Sequence, residues 1–420
     1  PLSITALESS LNEILRRHEA LRTRFIEKEG SPVPIVDESV TVGITRLDLK
    51  SQPEDEHEGK IMSIAVEEAE RPFDLMTGPL VRVVLVELDK EKFVLFFTMH
   101  HIVSDGWSTG ILSRELAALY AAFIDNKPSP LTELQIQYAD FAYWQREVFN
   151  SDFFLDCLDY WKEQLQGAPP LLELPLDRRR KPLQKKEGGV EHFEIDLELA
   201  LSLKEMSRQS GVSMFMTLHT AFAILLYRYS NQDDIVIGTP IANRNYKEIE
   251  PLIGFFVNTL ALRSDISGNP NFKEVLTRMR ETTLDAYAHQ DVPFEKIVEE
   301  LQPVRSMSHT PLFQVMFDWQ NASREILELP GLSITPLELK YAIAKFDLTL
   351  TMGETSRGMY GDFEYDARLF DEETIKIMSL KFLLLLEGIA KKPTMKISDY
   401  DILLPVEKEL NNLLEIEVDI

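Results

Sequence analysis

The chain has 420 residues, 44% of them hydrophobic, enough for two ordinary cores, and a formal net charge of −25 from 69 acidic and 44 basic residues. That balance disfavours nucleic acid or an anionic membrane as the main partner, and any acidic partner must dock on a local neutral or basic patch. One cysteine, Cys157, excludes an intrachain disulfide and fits a reducing cytoplasm. No apolar run approaches the roughly 18–20 residues of a membrane span; Leu380 to Ala390 comes nearest and is broken by Lys381 and Glu387. An opening at Pro1 without a signal-like segment reads as a fragment of something longer.

Ile4 to Leu21 sets Leu7, Leu11, Ile14, Leu15 and Leu21 at helical spacing behind Ser3, a suitable N-cap. The helix runs into Arg17-His18-Glu19-Ala20-Leu21-Arg22-Thr23-Arg24-Phe25, and a turn follows at Glu29-Gly30-Ser31-Pro32. Read locally, these arginines are a solvated basic helix end, where cations suit the dipole. His18 reads as structural. Glu54 to Glu70 is a charged amphipathic helix, and Val81 to Leu88 with Lys92 to Thr98 reads as a β-hairpin turned at Asp89-Lys90-Glu91.

The hairpin delivers His100-His101-Ile102-Val103-Ser104-Asp105-Gly106. Phe93 to Met99 is almost unbroken apolar sequence, which predicts a strand buried on both faces. Two imidazoles therefore stand where a core strand stops, and neighbouring side chains on extended backbone point opposite ways. One histidine can face a cavity while the other packs. A lone histidine here would read as a satisfied strand end with a turn aspartate. Zinc is a second possibility, but one cysteine and no second cluster at ligand spacing argue against it.

Helices are expected at about 107–125, 138–149 and 152–166, the second opening Tyr138-Ala139-Asp140-Phe141-Ala142-Tyr143-Trp144, whose aromatics read as packing. Gly167 to Gly189, with Pro169, Pro170, Pro175, Pro182 and Lys185-Lys186, is the clearest break and the expected lobe boundary. Within it Arg178-Arg179-Arg180-Lys181 reads as a solvated linker ahead of a docking patch. A strand (Glu191 to Asp196), helices at about 198–209 and 213–229, and a buried strand from Asp234 to Pro240 follow. Then come Ile253-Gly254-Phe255-Phe256-Val257-Asn258-Thr259-Leu260-Ala261-Leu262-Arg263, a helix at about 271–288, and His289-Gln290-Asp291-Val292-Pro293-Phe294-Glu295. Ser308-His309-Thr310-Pro311-Leu312-Phe313-Gln314 turns into a strand, strands near 345–351 and 359–365 precede a helix near 371–390, and Tyr400 to Ile420 reads as the start of a linker. There is no P-loop, Gly-x-Gly-x-x-Gly fingerprint or short-period repeat.

The His-His-x-x-x-Asp-Gly string, with five further strings in order between residues 17 and 317, resembles the condensation domains of nonribosomal peptide synthetases. More loosely it resembles the His-x-x-x-Asp acyltransferases related to chloramphenicol acetyltransferase. The wording around Gly254 to Arg263 and Ser308 to Phe317 is similar to the subclass that joins two L-residues. The family's first signature, Ser-x-Ala-Gln-x-Arg, should precede Pro1 and is missing.

That resemblance implies an α/β fold of two chloramphenicol-acetyltransferase-like lobes forming a V-shaped pseudo-dimer, with the active site in the tunnel between them. The lobes are expected at 1–170 and 171–400, with 401–420 opening a linker. It also implies no cofactor in the domain itself. Substrates would arrive on the phosphopantetheine of an upstream donor and a downstream acceptor carrier protein, with an adenylation domain as neighbour. His101 is the implied catalytic residue, with His100, Asp105 and Gly106 completing its motif. Gly106 permits close backbone approach, and its N–H is a candidate oxyanion donor. Asp105 is assigned to structure, bridging to Arg22 or Arg17, while Trp107, Ser108, Asn258 and Arg263 are candidates to line the tunnel. The alternatives are a stand-alone acyl-CoA acyltransferase, a starter domain that N-acylates with a fatty acyl group, and a catalytically silent recruitment module.

Overall fold

The computed structural model describes residues 2–181, 187–303, 306, 308–320, 327–337 and 344–409. The expected Lys185-Lys186 segment and the linker beyond residue 409 lie outside them. The described residues form two compact units. The first is drawn from Pro1–Ser151, Ala242–Val257 and Arg324–Leu339, the second from Asp152–Ile241, Asn258–Ser323 and Lys340–Ile420. The expected boundary at residue 170 thus falls inside the second unit, and a segment from the middle of the chain belongs to the first.

In the first unit, α1 (Ile4–Arg17) starts where the Ser3 side chain accepts from the Ala6 N–H and buries Leu7, Leu11, Ile14 and Leu15. At His18 the chain leaves the helix, and Glu19–Arg22 forms a 3-10 turn. Strands β1 (Thr23–Lys28) and β2 (Ser31–Val36) pair as an antiparallel ribbon. Its two turn residues, Glu29 and Gly30, both have positive φ, 54° and 77°, the geometry whose twist suits a tight hairpin. Strand β3 (Ile44–Asp48) runs parallel to β4 (Val81–Glu87), and β4 runs antiparallel to β5 (Phe93–Met99).

Helix α2 (Glu54–Glu70) covers one face of this sheet, against Val84, Val86, Val94 and Phe96. Helices α1 and α3 (Gly106–Ile124) cover the other, against Val81, Val83, Leu95, Phe97 and Met99. Strand β5 therefore has apolar neighbours on both faces, which explains its lack of alternation. The expectation of full burial needs correcting, however: every β5 residue is only half-buried, and β4 is the buried strand. β4 is flanked on both sides, whereas β5 ends the three-stranded order. Helix α4 (Tyr138–Val148) opens on a capping box between Gln137 and Asp140. Its Phe141 packs with Ile249, Leu252 and Phe256 of the Ala242–Val257 segment.

In the second unit, α5 (Asp152–Leu165) leads through the proline-rich stretch to β6 (Gly188–Asp196). Helices α6 (Leu197–Ser210) and α7 (Met214–Ser230) meet at Gly211, whose φ of 65° ends α6 in a left-handed cap. Strands β7 (Asp234–Ile241) and β8 (Asn258–Asp265), helices α8 (Phe272–Ala288) and α9 (Phe294–Leu301), strands β9 (Val315–Gln320), β10 (Leu348–Thr355) and β11 (Gly358–Asp366), and α10 (Glu372–Lys391) complete it. The six-stranded sheet runs β6-β11-β10-β9-β7-β8, with β9 parallel to both its neighbours. Phe215 to Leu226 on α7 is buried without interruption, so this helix is core all round. No single helix among the described residues is long and apolar enough to cross a membrane.

Candidate active site

The His-His motif begins where β5 releases its last backbone bond. The His100 N–H still donates to the Leu80 carbonyl at 3.0 Å, and His101–Val103 then tightens into a 3-10 turn. The two imidazoles have different surroundings. His100 is half-buried, edge-on to Phe73 at 5.9 Å, and its Nδ1 accepts from the Ile102 N–H at 3.0 Å. That bond places the neutral ring's proton on Nε2. Burial, and then the charge of His101, hold the His100 pKa below the ordinary imidazole range. His101 is exposed and stands edge-on to Phe255 at 5.1 Å. Among the described residues its ring nitrogens have no hydrogen-bond partner.

Asp105 is the N-cap of α3 and is 5% exposed. A buried carboxylate without partners would be untenable, and this one has many. Its Oδ1 accepts from the Ser108 N–H at 2.8 Å and the Ser108 hydroxyl at 2.7 Å. Its Oδ2 accepts from the Phe256 N–H at 3.0 Å. Arg244 Nη2 donates to both oxygens, at 3.2 and 3.3 Å. Arg244 is itself buried, its Nη1 donating to the carbonyls of Ile249 and Leu252, both at 2.7 Å. Its guanidinium lies over the Phe256 ring, 4.1 Å from the centroid. Burial pulls the Arg244 pKa down from the ordinary guanidinium range, and the Asp105 charge opposes that pull.

The expected bridge from Asp105 to Arg22 or Arg17 is therefore corrected: the cation is Arg244. Arg22 donates instead to the carbonyls of Leu15 and Arg16, at 2.9 and 3.2 Å, and to that of Asp37. Leu15 and Arg16 belong to the last turn of α1, whose carbonyls lack helical partners, so a nearby arginine is drawn to them. Arg17 forms a buried fork with Glu115 on α3, at 3.0 and 3.2 Å. His18, 1% exposed, holds the same carboxylate through Nε2 at 3.0 Å and accepts the Ile253 N–H on Nδ1 at 3.2 Å. Both ring nitrogens are spent on these two contacts, which makes His18 structural. Burial pushes the Glu115 pKa up, but His18 and Arg17 more than offset it, and the net shift is downward.

Ala242–Val257 acts as a strap over the start of α3. Ser108, fully buried, accepts from the Gly254 N–H and from Arg244 Nη2, both at 3.1 Å, and donates to Asp105. One hydroxyl proton and two lone pairs are then spent, so Ser108 serves the scaffold and not a tunnel wall. Tyr138 donates to the Phe255 carbonyl at 2.7 Å, and burial pushes its pKa up to about 12. A Cβ on Gly254 would come within 2.3 Å of the Tyr138 ring, which is why glycine stands there.

Two further tunnel candidates also need correcting. Asn258 spends its whole amide pinning the turn before α9: Nδ2 donates to the Gln290 and Val292 carbonyls, and Oδ1 accepts from the Phe294 N–H. Arg263 is held by Asp234 on β7 and by the Gln164 and Gln166 carbonyls. Trp107 remains accessible at 45%, its Nε1 donating to the Glu250 carbonyl at 3.1 Å. Gly106 is exposed in the first turn of α3, where helix N–H groups have no helical acceptor, and a Cβ there meets nothing within 4 Å. Arg244 escapes sequence reasoning because a lone arginine after the Asp234 to Pro240 strand carries no local pattern. Among the described residues no group of three or more His, Cys, Asp or Glu is placed to hold a metal.

The chain can be set beside known proteins on this geometry. The condensation-domain family model matches residues 1–410. A linear gramicidin synthase of Brevibacillus parabrevis is 49% identical over 411 residues, covering 97% of this chain and 8% of that protein. Phosphinothricin tripeptide synthetase of Streptomyces viridochromogenes is 38% identical, covering 100% of this chain and 39% of that one. This chain thus spans a small part of the relatives it matches. Among solved structures, the X-domain from teicoplanin biosynthesis superposes with a TM-score of 0.87 at 30% identity, covering 96% of this chain and 90% of that one. A four-domain nonribosomal peptide synthetase bound to AMP and glycine gives a TM-score of 0.84 at 22% identity, covering 96% and 31%, a likeness of fold. The chain belongs to the condensation-domain family of nonribosomal peptide synthetases, acyltransferases of chloramphenicol-acetyltransferase-like fold.

Proposed function

We propose that the chain forms amide bonds between two carrier-bound substrates, with His101 at the reacting centre. The donor is an aminoacyl or peptidyl thioester on an upstream carrier protein, and the acceptor is an aminoacyl amine on a downstream one. Phosphopantetheine presents both, and an adenylation domain is the expected neighbour. The observation that carries this reading is an exposed His101 ring whose nitrogens have no hydrogen-bond partner among the described residues, set beside a helix N-terminus locked by a buried ion pair.

The acceptor nitrogen attacks the thioester carbonyl, a C–N bond forms, the C–S bond breaks, and the amine's proton ends on the departing thiol. A free α-amine titrates near 7.7–8.0, so an appreciable minority is already neutral at pH 7. His101 then orients the amine and relays its proton. The Gly106 N–H, in the electropositive first turn of α3, is the donor available to the developing oxyanion. Asp105 takes no part in proton transfer. It fixes the start of α3, and with it the direction in which the Gly106 N–H points.

The test is amide formation between two loaded carriers by wild type and His101→Ala. Because the ring is exposed and its nitrogens hold no hydrogen bond among the described residues, the variant should melt with wild type while transfer falls by about 10²–10⁴-fold. Near-wild-type yield, after subtracting uncatalysed transfer, would end the assignment. Faster turnover of free acyl-CoA and free amine than of carrier-bound partners would favour the acyltransferase alternative. A recruitment module is the second reading, since the X-domain has been solved in complex with OxyB. The uncommitted His101 favours chemistry over that reading.

A further inference from the structure

The second unit contains a cleft that the amide-forming site does not use. Its cavity of about 470 Å³ is lined by Arg178, Arg179, Lys181 and Arg368, with Asp347, Asp366 and Ser308 among them. The two carboxylates are already engaged: Asp347 receives Arg180 Nη2 at 2.5 Å, and Asp366 receives Arg368 Nε at 2.9 Å. Arg178 reaches the exposed Asp371 at the rim. Arg179 and Lys181 are exposed, with no hydrogen-bond or ion-pair partner among the described residues. Among the described lining residues four cations stand beside two spoken-for carboxylates, a local excess of positive charge in a chain whose net charge is −25. The flanking Arg180 and Asp371 cancel, and Glu187, close enough to act on Arg368, reduces the excess without removing it.

Bringing these cations together is unfavourable unless something neutralises them, and concave walls focus their field on whatever enters. We propose that the cleft binds a phosphate-bearing small molecule. Phosphate brings more charge and more acceptor oxygens to the uncommitted Arg179 and Lys181 than a monocarboxylate does. Guanidinium forks match the oxygens of phosphate two at a time, and the Arg179 fork is uncommitted among the described residues. The volume lies in the range of small-molecule pockets, roughly 300–1,000 Å³, and is ill-suited to a protein helix. The Arg178 to Lys181 run is thus more than a solvated linker. This inference stands on the cleft alone and survives if the chemistry at His101 is something else.

The experiment is calorimetric titration of the full chain with pyrophosphate, with acetate as competitor. Binding should be measurable at a dissociation constant of about 1 mM or tighter, and should weaken as salt rises. Arg179→Gln with Lys181→Gln should weaken it at least about tenfold while leaving the melting temperature unchanged, because neither side chain holds a protein partner among the described residues. If that pair lowered stability, Lys181→Gln alone would serve with the same expectation of weaker binding. No heat with wild type, undiminished affinity in a folded variant, or equal displacement by acetate would each overturn the proposal.

Discussion

Helix α3 carries two buried carboxylates, and they are neutralised in contrasting ways. Glu115, along its length, is held by Arg17 and His18, adjacent residues at the end of α1. Asp105, at its N-cap, is held by Arg244, 139 residues away in sequence. The Glu115 cluster packs α1 against α3 and touches the strap only through the Ile253 N–H on His18 Nδ1. The Asp105 cluster gathers Ser108, Gly254 and Phe256 around the turn that carries the histidines. Identical chemistry, a carboxylate against a guanidinium, serves packing in one place and the aim of a helix N-terminus in the other. What separates them is which backbone groups share the ion pair.

The largest effect that would break this contrast lies at Asp105. Asp105→Ala strands a buried guanidinium, which typically costs about 3–5 kcal/mol. Thermal unfolding should show that loss, and Arg244→Ala combined with it should cost clearly less than the sum, with a coupling of roughly 0.5–3 kcal/mol. Arg22→Ala should instead add to Asp105→Ala within about 0.5 kcal/mol, since the two side chains share no partner. An Asp105→Ala protein as stable as wild type yet inactive would move Asp105 into the chemistry.

A smaller effect sharpens the comparison from the Glu115 side. The folded pKa of Glu115 lies below its unfolded value, near 4.3. Its ionisation therefore adds stability that is fully present above that unfolded value and is lost as pH falls through the folded one. Wild type should be more stable than Glu115→Gln at neutral pH, and the gap should narrow on acidification. A gap that held constant from pH 7 to the acid limb of unfolding would contradict the assigned direction.

Gly106 should give the smallest change in stability and the most selective change in activity. With open space around its Cβ position, Gly106→Ala should stay within about 1 kcal/mol of wild type. Carrier-to-carrier transfer should nevertheless drop, because the methyl group occupies the space a substrate carbonyl needs. Unimpaired transfer would remove the Gly106 N–H from the oxyanion role.

Much of this architecture was legible in the residues. Ser3 as a cap, the 54–70 helix and the hairpin into His100 all follow from local pattern, and so does the buried, structural role of His18. The partner of Asp105 was not legible. Arginines near Arg17 offered cations close in the motif order, but local carbonyls and Glu115 had first claim on them. Asn258 and Arg263 misled for a related reason: a polar side chain in a motif-bearing strand looks available until its acceptors are known. Hydrogen-bond partners drawn from distant segments leave no periodic trace in the sequence that needs them.

The strap also has a consequence for the order of synthesis. A ribosome delivers residues from the N-terminus at roughly 5–20 per second, so Asp105 waits on the order of 7–28 s for an arginine 139 positions later. During that interval α3 has its sequence but not its lock, and a nascent chain ending before Ala242 holds an unpaired acid in a half-built core. The same geometry governs recombination. A hybrid that joins residues 1–151 of this chain to the remainder of a relative keeps both histidines yet imports a foreign strap. Such a chimera inherits its motif from one parent and the means of aiming it from the other.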